Sequence, residues 1–339
     1  MLCKRPQSWP RSPNTHARQG DARAPHIPHD EGMTISPELS EKVIVITGAS
    51  SGFGRGAAVR LAELGASVVI AARRGDVLDE VVAEIAAAGG TALAVRTDVS
   101  DPAAVSRLAG AALERFGRID VWVNNVGIGA LGLFWDIPIE DHARVIDVNL
   151  KGLIYGAHAA LRQFRAQGAG ILVNVGSVDS EVPLAYQASY ASSKAAVLSL
   201  SRSLNEELRL VGQHETIKVG TIMPWAVDTP WWTHAANYTG HAPRMAAMDD
   251  PSIVVDAIVA ACTNPKEEQP VGPKARTSDI SHHLFPDLTE RLSAKVSDAE
   301  VHKAGPMPHT TGSIYEPSPE GTTVGGGIRE RMRQEDAAS

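Results

Sequence analysis

The stretch that most constrains the fold is residues 43–64. Four β-branched apolar residues, Val43, Ile44, Val45 and Ile46, run into Thr47-Gly48-Ala49-Ser50-Ser51-Gly52-Phe53-Gly54, and an alanine-rich segment follows. The apolar run suits a strand buried on both faces. A glycine motif between a strand and a helix is the arrangement that cradles a dinucleotide. Gly48 permits the tight turn, Gly52 lets backbone approach a pyrophosphate, and Gly54 lets the helix pack on the strand. The helix N-terminus then offers free amides and a partial positive charge to the phosphates.

The same unit repeats down the chain. Strands are expected at 67–72, 91–96, 119–123, 171–175 and 217–222, with a last short one near Val271. Helical patterns are expected at 76–88, from the Asp101-Pro102 cap to 116, over one long stretch at 140–165, from Tyr190 to 210, and at 253–262. Strands alternating with helices imply an α/β fold, a doubly wound, Rossmann-like parallel sheet with helices on both faces. Ligands of such sheets bind beyond the carboxyl ends of the strands. Asn124, Ser177 and Pro224 all fall just after strand ends.

Within that frame Tyr190 and Lys194 stand four apart on one helix, with Ser177 thirteen residues before the tyrosine. Residues four apart share a helix face. A phenol has a reference pKa of about 10, and a nearby cation favours the phenolate. A phenol, an ammonium and a hydroxyl together form an acid–base group beside a hydrogen-bonding clamp, which suits carbonyl reduction or alcohol oxidation.

Thr47-Gly48-x3-Gly52-x-Gly54, Asn124-Asn125-x-Gly127, Asn149, Ser177 and Tyr190-x3-Lys194 together closely resemble the short-chain dehydrogenase/reductase family, in its single-domain branch, over roughly residues 41–272. The resemblance implies that Tyr190 is the general acid or base, that Lys194 tunes it and holds the nicotinamide ribose, that Ser177 orients the substrate oxygen, and that Asn149 holds a relay water. It also implies cofactor contacts from Ser50, Ser51, Phe53, Asp98, Val99, Asn125, Gly127, Pro224 and Thr229, besides the three turn glycines. Two positions depart from the family pattern: Val126 replaces the usual alanine, and Trp225 follows Pro224 where glycine is usual. By analogy with the family, a homodimer or homotetramer is expected.

The second strand ends in Arg73-Arg74 with no acidic residue at its tip. An acid there would bind a 2′-hydroxyl, whereas arginine accommodates a 2′-phosphate. NADP(H) is therefore expected rather than NAD(H). Trp225, Trp231 and Trp232 cluster in the segment after the sixth strand and are expected to wall a hydrophobic substrate pocket. The expected function is reduction of a carbonyl, or oxidation of an alcohol, on a small hydrophobic molecule. The alternatives are a non-catalytic dinucleotide sensor or scaffold, which need not keep the full Ser177, Tyr190, Lys194 and Asn149 set, and a nucleotide-sugar epimerase or dehydratase, which the glycine spacing disfavours.

Composition narrows the partners. A net charge of −7 over 339 residues argues against nucleic acid. No apolar run reaches the roughly 18 residues that a membrane span needs. Two cysteines, Cys3 and Cys262, make no disulfide framework, and no Cys/His cluster has metal-ligand spacing, so no metal is expected. Residues 1–40, proline-rich and polar, read as a disordered extension rather than a targeting peptide, which leaves a cytoplasmic location expected. Residues 273–339 read as a second extension. Leu284, Leu288, Leu292 and Val296 mark one short amphipathic helix there, and the triple glycine 325–327 with the charged end reads as mobile.

Overall fold

The computed structural model describes residues 36–338, so most of the expected N-terminal extension lies outside the described residues. In chain order the elements are β1 (Val43–Thr47), α1 (Gly52–Glu63), β2 (Ser67–Ala72), α2 (Gly75–Ala87), β3 (Thr91–Arg96), α3 (Pro102–Phe116), β4 (Val121–Asn124), β5 (Ala130–Leu131), α4 (Ile139–Ile146), α5 (Gly152–Gln167) and β6 (Gly170–Val175). There follow α6 (Ala188–Leu210), β7 (Ile217–Pro224), α7 (Trp231–His234), β8 (Ala236–Asn237), α8 (Ser252–Ala261), β9 (Glu268–Val271), α9 (Gly272–Leu284), α10 (Pro286–Lys303) and α11 (Ile328–Ala338).

Seven strands form one sheet in the order β3-β2-β1-β4-β6-β7-β9, and every pairing is parallel. Alternate residues of β1 feed opposite layers. Ile44 and Ile46 pack with Leu61, Leu78, Ile85 and Ile258 of α1, α2 and α8. Val43 and Val45 pack with Leu108, Ala157 and Phe164 of α3 and α5. The expected doubly wound sheet is therefore present, and its strand order reverses between β1 and β4.

Side-chain amides fasten the layers near that reversal. Trp122 Nε1 donates to Asn124 Oδ1 (2.8 Å), Asn124 Nδ2 to Asn174 Oδ1 (3.0 Å), and Asn174 Nδ2 to Ser201 Oγ (3.0 Å). This buried chain links β4, β6 and α6, and so sets the height of α6 against the strand ends. Each member finds a partner, as a low-dielectric interior requires.

Two expectations fail. The single helix over 140–165 is instead α4 and α5 joined by a π-helical turn, Asp147–Lys151, which contains Asn149. Such turns insert one extra residue into a helix and are frequent at functional sites. The C-terminal extension also holds three helices rather than one. Leu284, Leu288, Leu292 and Val296 keep their four-residue spacing but face solvent, and the buried residues of α10 are instead Thr289, Ser297 and Glu300. The charged end is ordered as α11. Arg244, with 1% of its side chain exposed, donates to Glu300 (2.9 Å), Glu335 (2.9 Å) and Asp336 (2.8 Å), joining α10 to α11. These contacts are invisible to local periodicity because all the partners are distant in sequence.

Removing one partner of a buried ion pair leaves uncompensated charge, at a cost of about 3 kcal/mol or more. Glu335 and Asp336 reach solvent, so Arg244→Met is expected near the low end, a loss of roughly 2–3 kcal/mol with α11 released first. Urea denaturation and amide exchange of residues 328–338 check this. A loss below about 0.5 kcal/mol, the ordinary scatter of surface substitutions, would mean that the cluster does not hold the helix.

Candidate active site

The carboxyl ends of β1, β4, β6 and β7 open into a cavity of about 240 Å³. At its centre the glycine turn is wound tightly. Gly48 has φ +74°, which L side chains rarely adopt. A Cβ on Gly54 would lie 2.3 Å from the Gly48 carbonyl oxygen, so only glycine lets α1 start this close to β1. Asn125 pins the turn from β4: its Nδ2 donates to the carbonyls of Thr47 (3.0 Å) and Gly48 (3.2 Å). Ser50, Ser51 and Phe53 of the turn line the cavity, and Thr229 lies across from Gly52.

Tyr190 and Lys194 come to the opposite wall from α6, with Ser177 at the end of β6. Lys194 is buried, and its Nζ donates to the Val175 carbonyl at 2.7 Å. Gly127 leaves room for this ammonium, since a Cβ there would meet Nζ at 3.3 Å. Burial pulls the Lys194 pKa down to about 8, against the pull of the Asp179 carboxylate. The Tyr190 phenol is pushed above its ordinary value by burial first and by Asp179 second, with only the Ser177 hydrogen bond acting the other way. The expected lowering by Lys194 is thus not realised. The ammonium sits 5.6 Å from the ring centre, and burial and Asp179 set the phenol instead.

Asn149 is fully buried but does not line the cavity. Its Oδ1 accepts Ile128 N–H (2.8 Å), and its Nδ2 donates to Ile128 O (2.9 Å) and Ser193 Oγ (3.0 Å). Its side chain is therefore structural cement between the π-helical turn, the loop after β4 and α6. The three tryptophans divide. Trp231 packs on Tyr190 with ring centres 5.0 Å apart, and Trp225 lines the cavity with its Nε1 3.4 Å from Ala246 O. Trp232 touches the cavity too, but it is 6% exposed and donates to Val227 O (2.9 Å), so it serves chiefly as core.

At the far end lie Arg73 and Arg74, Asp98 and Val99. Asp98 caps its own turn, accepting from Ser100 N–H (2.9 Å) and Ser100 Oγ (2.7 Å), and pairs with Arg144 (3.2 Å). Burial works to raise its pKa, but the Ser100 bonds and Arg144 together hold it below the ordinary carboxylate value. Neither Arg73 nor Arg74 has a carboxylate partner among the described residues. Arg74 reaches Ser50 Oγ (3.0 Å) and Ser51 Oγ (2.9 Å). Both guanidiniums also donate to the C-terminal chain: Arg73 to the carbonyls of Ser313 and Tyr315, Arg74 to those of Ser318 (3.1 Å) and Glu320 (3.0 Å). This strap continues past the glycine turn, where Gly52 N–H donates to Thr323 O (3.0 Å), to Asp228, whose carboxylate accepts the first amides of α11 from Ile328 (2.8 Å) and Arg329 (3.2 Å). Burial lowers the pKa of both arginines, and for Arg74 the charge of Arg73 adds to this.

Sequence reasoning missed Arg144, Asp179 and the strap. Asp179 stood two residues past Ser177 and was readable there. The strap was not, because its contacts are made by backbone carbonyls.

The family model for short chain dehydrogenases matches residues 42–238, more than half of the chain. The chain belongs to that family. The uncharacterized oxidoreductase YxnA of Bacillus subtilis (strain 168) is 36% identical over 283 residues, covering 82% of this chain and 79% of its own. Among solved structures, an alcohol dehydrogenase from the archaeon Thermococcus sibiricus, complexed with 5-hydroxy-NADP, superposes with a TM-score of 0.58 at 28% identity, over 67% of this chain and 93% of that one. A metagenomic short-chain oxidoreductase in complex with NADP gives 0.56 at 32% identity, over 68% and 93%. The protein is thus an oxidoreductase of a family that binds a nicotinamide dinucleotide and acts on small molecules. No group of His, Cys, Asp and Glu among the described residues could hold a metal ion, and none of their helices is long and apolar enough to cross a membrane.

Asp179 is 6% exposed, and burial pushes its pKa from 3.8 to about 7, against the pull of Lys194. A folded-state pKa above the unfolded one means that the folded protein holds the proton more tightly, so this contribution is full below about pH 4 and lost as pH rises to about 7. Asp179→Asn, which cannot ionise, is expected to gain stability relative to the native protein across that window and to hold the gain above it. Denaturation series at pH 5, 6, 7 and 8 check this; a constant difference would show that the buried carboxyl does not titrate there.

Proposed function

We infer that the protein is an NADP(H)-dependent reductase or dehydrogenase that interconverts a carbonyl and an alcohol on a small, largely hydrophobic molecule. Residues 41–272 would form its catalytic domain. The observation that carries the reading is that Ser177, Tyr190 and Lys194 meet at one end of a cleft whose other end holds two half-buried arginines lacking carboxylate partners. The chemistry of this donor set fits the cofactor. A phosphate is a stronger acceptor for Arg73 and Arg74 than the neutral carbonyls they now bond. Ser50 and Ser51 add hydroxyls at the same place, and the amides of the glycine turn suit a pyrophosphate. The two solved relatives carry NADP or its derivative, which agrees with this preference.

When bound, the nicotinamide supplies or accepts the hydride. The chain's own residues would do the rest. Ser177 holds the substrate oxygen against the phenol. Tyr190, kept protonated at neutral pH by burial and by Asp179, donates its proton to the carbonyl oxygen during reduction and recovers it in the reverse direction. Lys194, held on Val175 O, would steady the ribose. Asn149 can serve a proton relay only through its main chain, since its side chain is fully engaged. Trp225, Trp231, Leu184 and Met245 would exclude water and favour a bulky apolar body on the substrate.

Tyr190→Phe is expected to lower kcat by about a hundredfold to ten-thousandfold, the usual share of a general acid, with cofactor affinity nearly unchanged. Lys194→Ala is expected to impair both. Tyr186, the nearest other phenol in sequence, donates to Asp298 at 2.6 Å and does not line the cavity, so it offers no substitute. Near-native turnover in Tyr190→Phe would end this mechanism.

The native protein is expected to prefer NADPH over NADH. Arg73→Ala is expected to reduce that preference roughly tenfold to a hundredfold, the worth of a charge-assisted bond. Initial rates with both cofactors decide, and equal use by the native protein would refute the assignment.

A further inference from the structure

Asp179 is a carboxyl group that acts on Tyr190 through space but contacts no reacting atom in the reaction above. It sits in the short turn after β6, and the turn is clasped at both ends: Ser177 Oγ accepts Asp179 N–H at 3.1 Å, and Ser180 Oγ accepts Ser177 N–H at 3.3 Å. The clasp places the carboxyl on the wall that carries Ser177, lining the same cavity as Tyr190. The residue is 94% buried, yet its carboxyl oxygens have no hydrogen-bond or ion-pair partner among the described residues. Lys194 acts on it only through space and gives a donor to Val175 O instead. Of the other side chains that line the cavity, Val178, Leu184, Trp225 and Met245 are apolar, and Gln187 and Tyr190 carry no positive charge.

The Asp179 oxygens are not sealed in the interior but reach the cavity, where a donor can meet them. A cavity wall that keeps an acceptor free of protein partners suits a donor that arrives with a ligand. We propose that Asp179 is a specificity-determining residue that accepts a hydrogen bond from a hydroxyl group on the carbon next to the reacting carbonyl. The substrate class is then an α-hydroxy ketone or aldehyde with a bulky apolar remainder, and the product is the vicinal diol.

Adjacency follows from the turn: Ser177 clamps the reacting oxygen, and Asp179 is only two residues further along the same wall. A hydroxyl is favoured over an ammonium because Lys194 already supplies a positive charge to this corner, and a second cation would be repelled. The balance is that of the reaction above, with hydride going to the carbonyl carbon and the Tyr190 proton to its oxygen. The neighbouring hydroxyl is bound and left unchanged.

This rests on the proposed reduction, and the test separates the two. Initial rates of NADPH consumption would be measured for 2-hydroxy-1-phenylethanone, 2-methoxy-1-phenylethanone and 2-amino-1-phenylethanone, with the native protein, Asp179→Leu and Asp179→Asn. The methoxy ketone keeps the electron demand of the hydroxy ketone and lacks its donor. The native protein is expected to favour the hydroxy ketone over the methoxy ketone in kcat/KM by roughly tenfold or more, the worth of a hydrogen bond to a charged or polar buried group. Asp179→Leu is expected to erase that ratio, mainly through KM, and Asp179→Asn to keep part of it. An equal fall for all three ketones in Asp179→Leu would assign Asp179 to holding Lys194 and overturn the proposal. A preference for the amino ketone would overturn it in favour of a cation site. If no ketone is reduced, the proposed reaction fails, and affinities still decide for Asp179. Quenching of the tryptophans near the site, in protein saturated with NADPH, must then show tighter binding of the hydroxy ketone that is lost in Asp179→Leu; equal affinities would overturn the proposal.

Discussion

The parallel pairing of β1 with β4 governs everything else in this molecule. On one side of it the strands run outward as β2 and β3, on the other as β4, β6, β7 and β9. The turns that follow β1 and β4 therefore peel apart, and the one crossover between the halves, from β3 through α3 to β4, runs on the helix layer. Asn125, at the end of β4, bonds the carbonyls of Thr47 and Gly48 at the end of β1 and fixes the width of that gap. The cavity is the space left over. Its amides, serines and arginines come from the β1–β2 side, and Ser177, Tyr190 and Lys194 from the β6 side.

The electrostatics of the cleft follow from placing several ionisable groups where water is scarce. Lys194 shares a corner with Asp179, and burial drives each toward its neutral form. Arg73 and Arg74 are spared neutralisation by the basicity of guanidinium, so their positive charge persists. Arg244 lies outside the cleft and shows the contrasting arrangement, a buried guanidinium surrounded by three carboxylates. Arg244 is thus met by carboxylates, whereas Arg73 and Arg74 are met only by neutral oxygens and face the cavity.

The fold was legible because its signals are local. The five residues of β1 are all β-branched and all buried, as an apolar run between turn residues announces. Gly48 and Gly54 were readable from their spacing, and Tyr190 and Lys194 from helix periodicity. What stayed hidden depends on distance in sequence or on competition between terms. No spacing rule foretells that burial and Asp179 would set the Tyr190 phenol, nor that a π-helical turn interrupts a long helical pattern at Asn149. The leucine stripe of α9 and α10 was correctly periodic, but periodicity could not say that α10 would bury Thr289, Ser297 and Glu300 instead. Trp232 both touches the cavity and belongs to the core, a distinction that aromatic clustering does not make.

The strap has a consequence for how this protein can vary. It reaches Arg73, Arg74 and Gly52 through carbonyl oxygens, which every amino acid carries. Those contacts leave the side chains of Glu316 to Glu320 free to drift, and even Pro317 and Pro319 keep the group that matters, whereas Ile314 is buried and Tyr315 donates to Asp141. Length is not free: one residue inserted or lost between Ser313 and Thr323 would shift every carbonyl out of register at once. The exceptions are points of close approach. A Cβ at Gly326 would lie 2.4 Å from the Thr229 carbonyl, and one at Gly321 would lie 2.5 Å from the His234 ring. Among relatives, such a segment would be recognised by a fixed spacing between two glycines in otherwise dissimilar text.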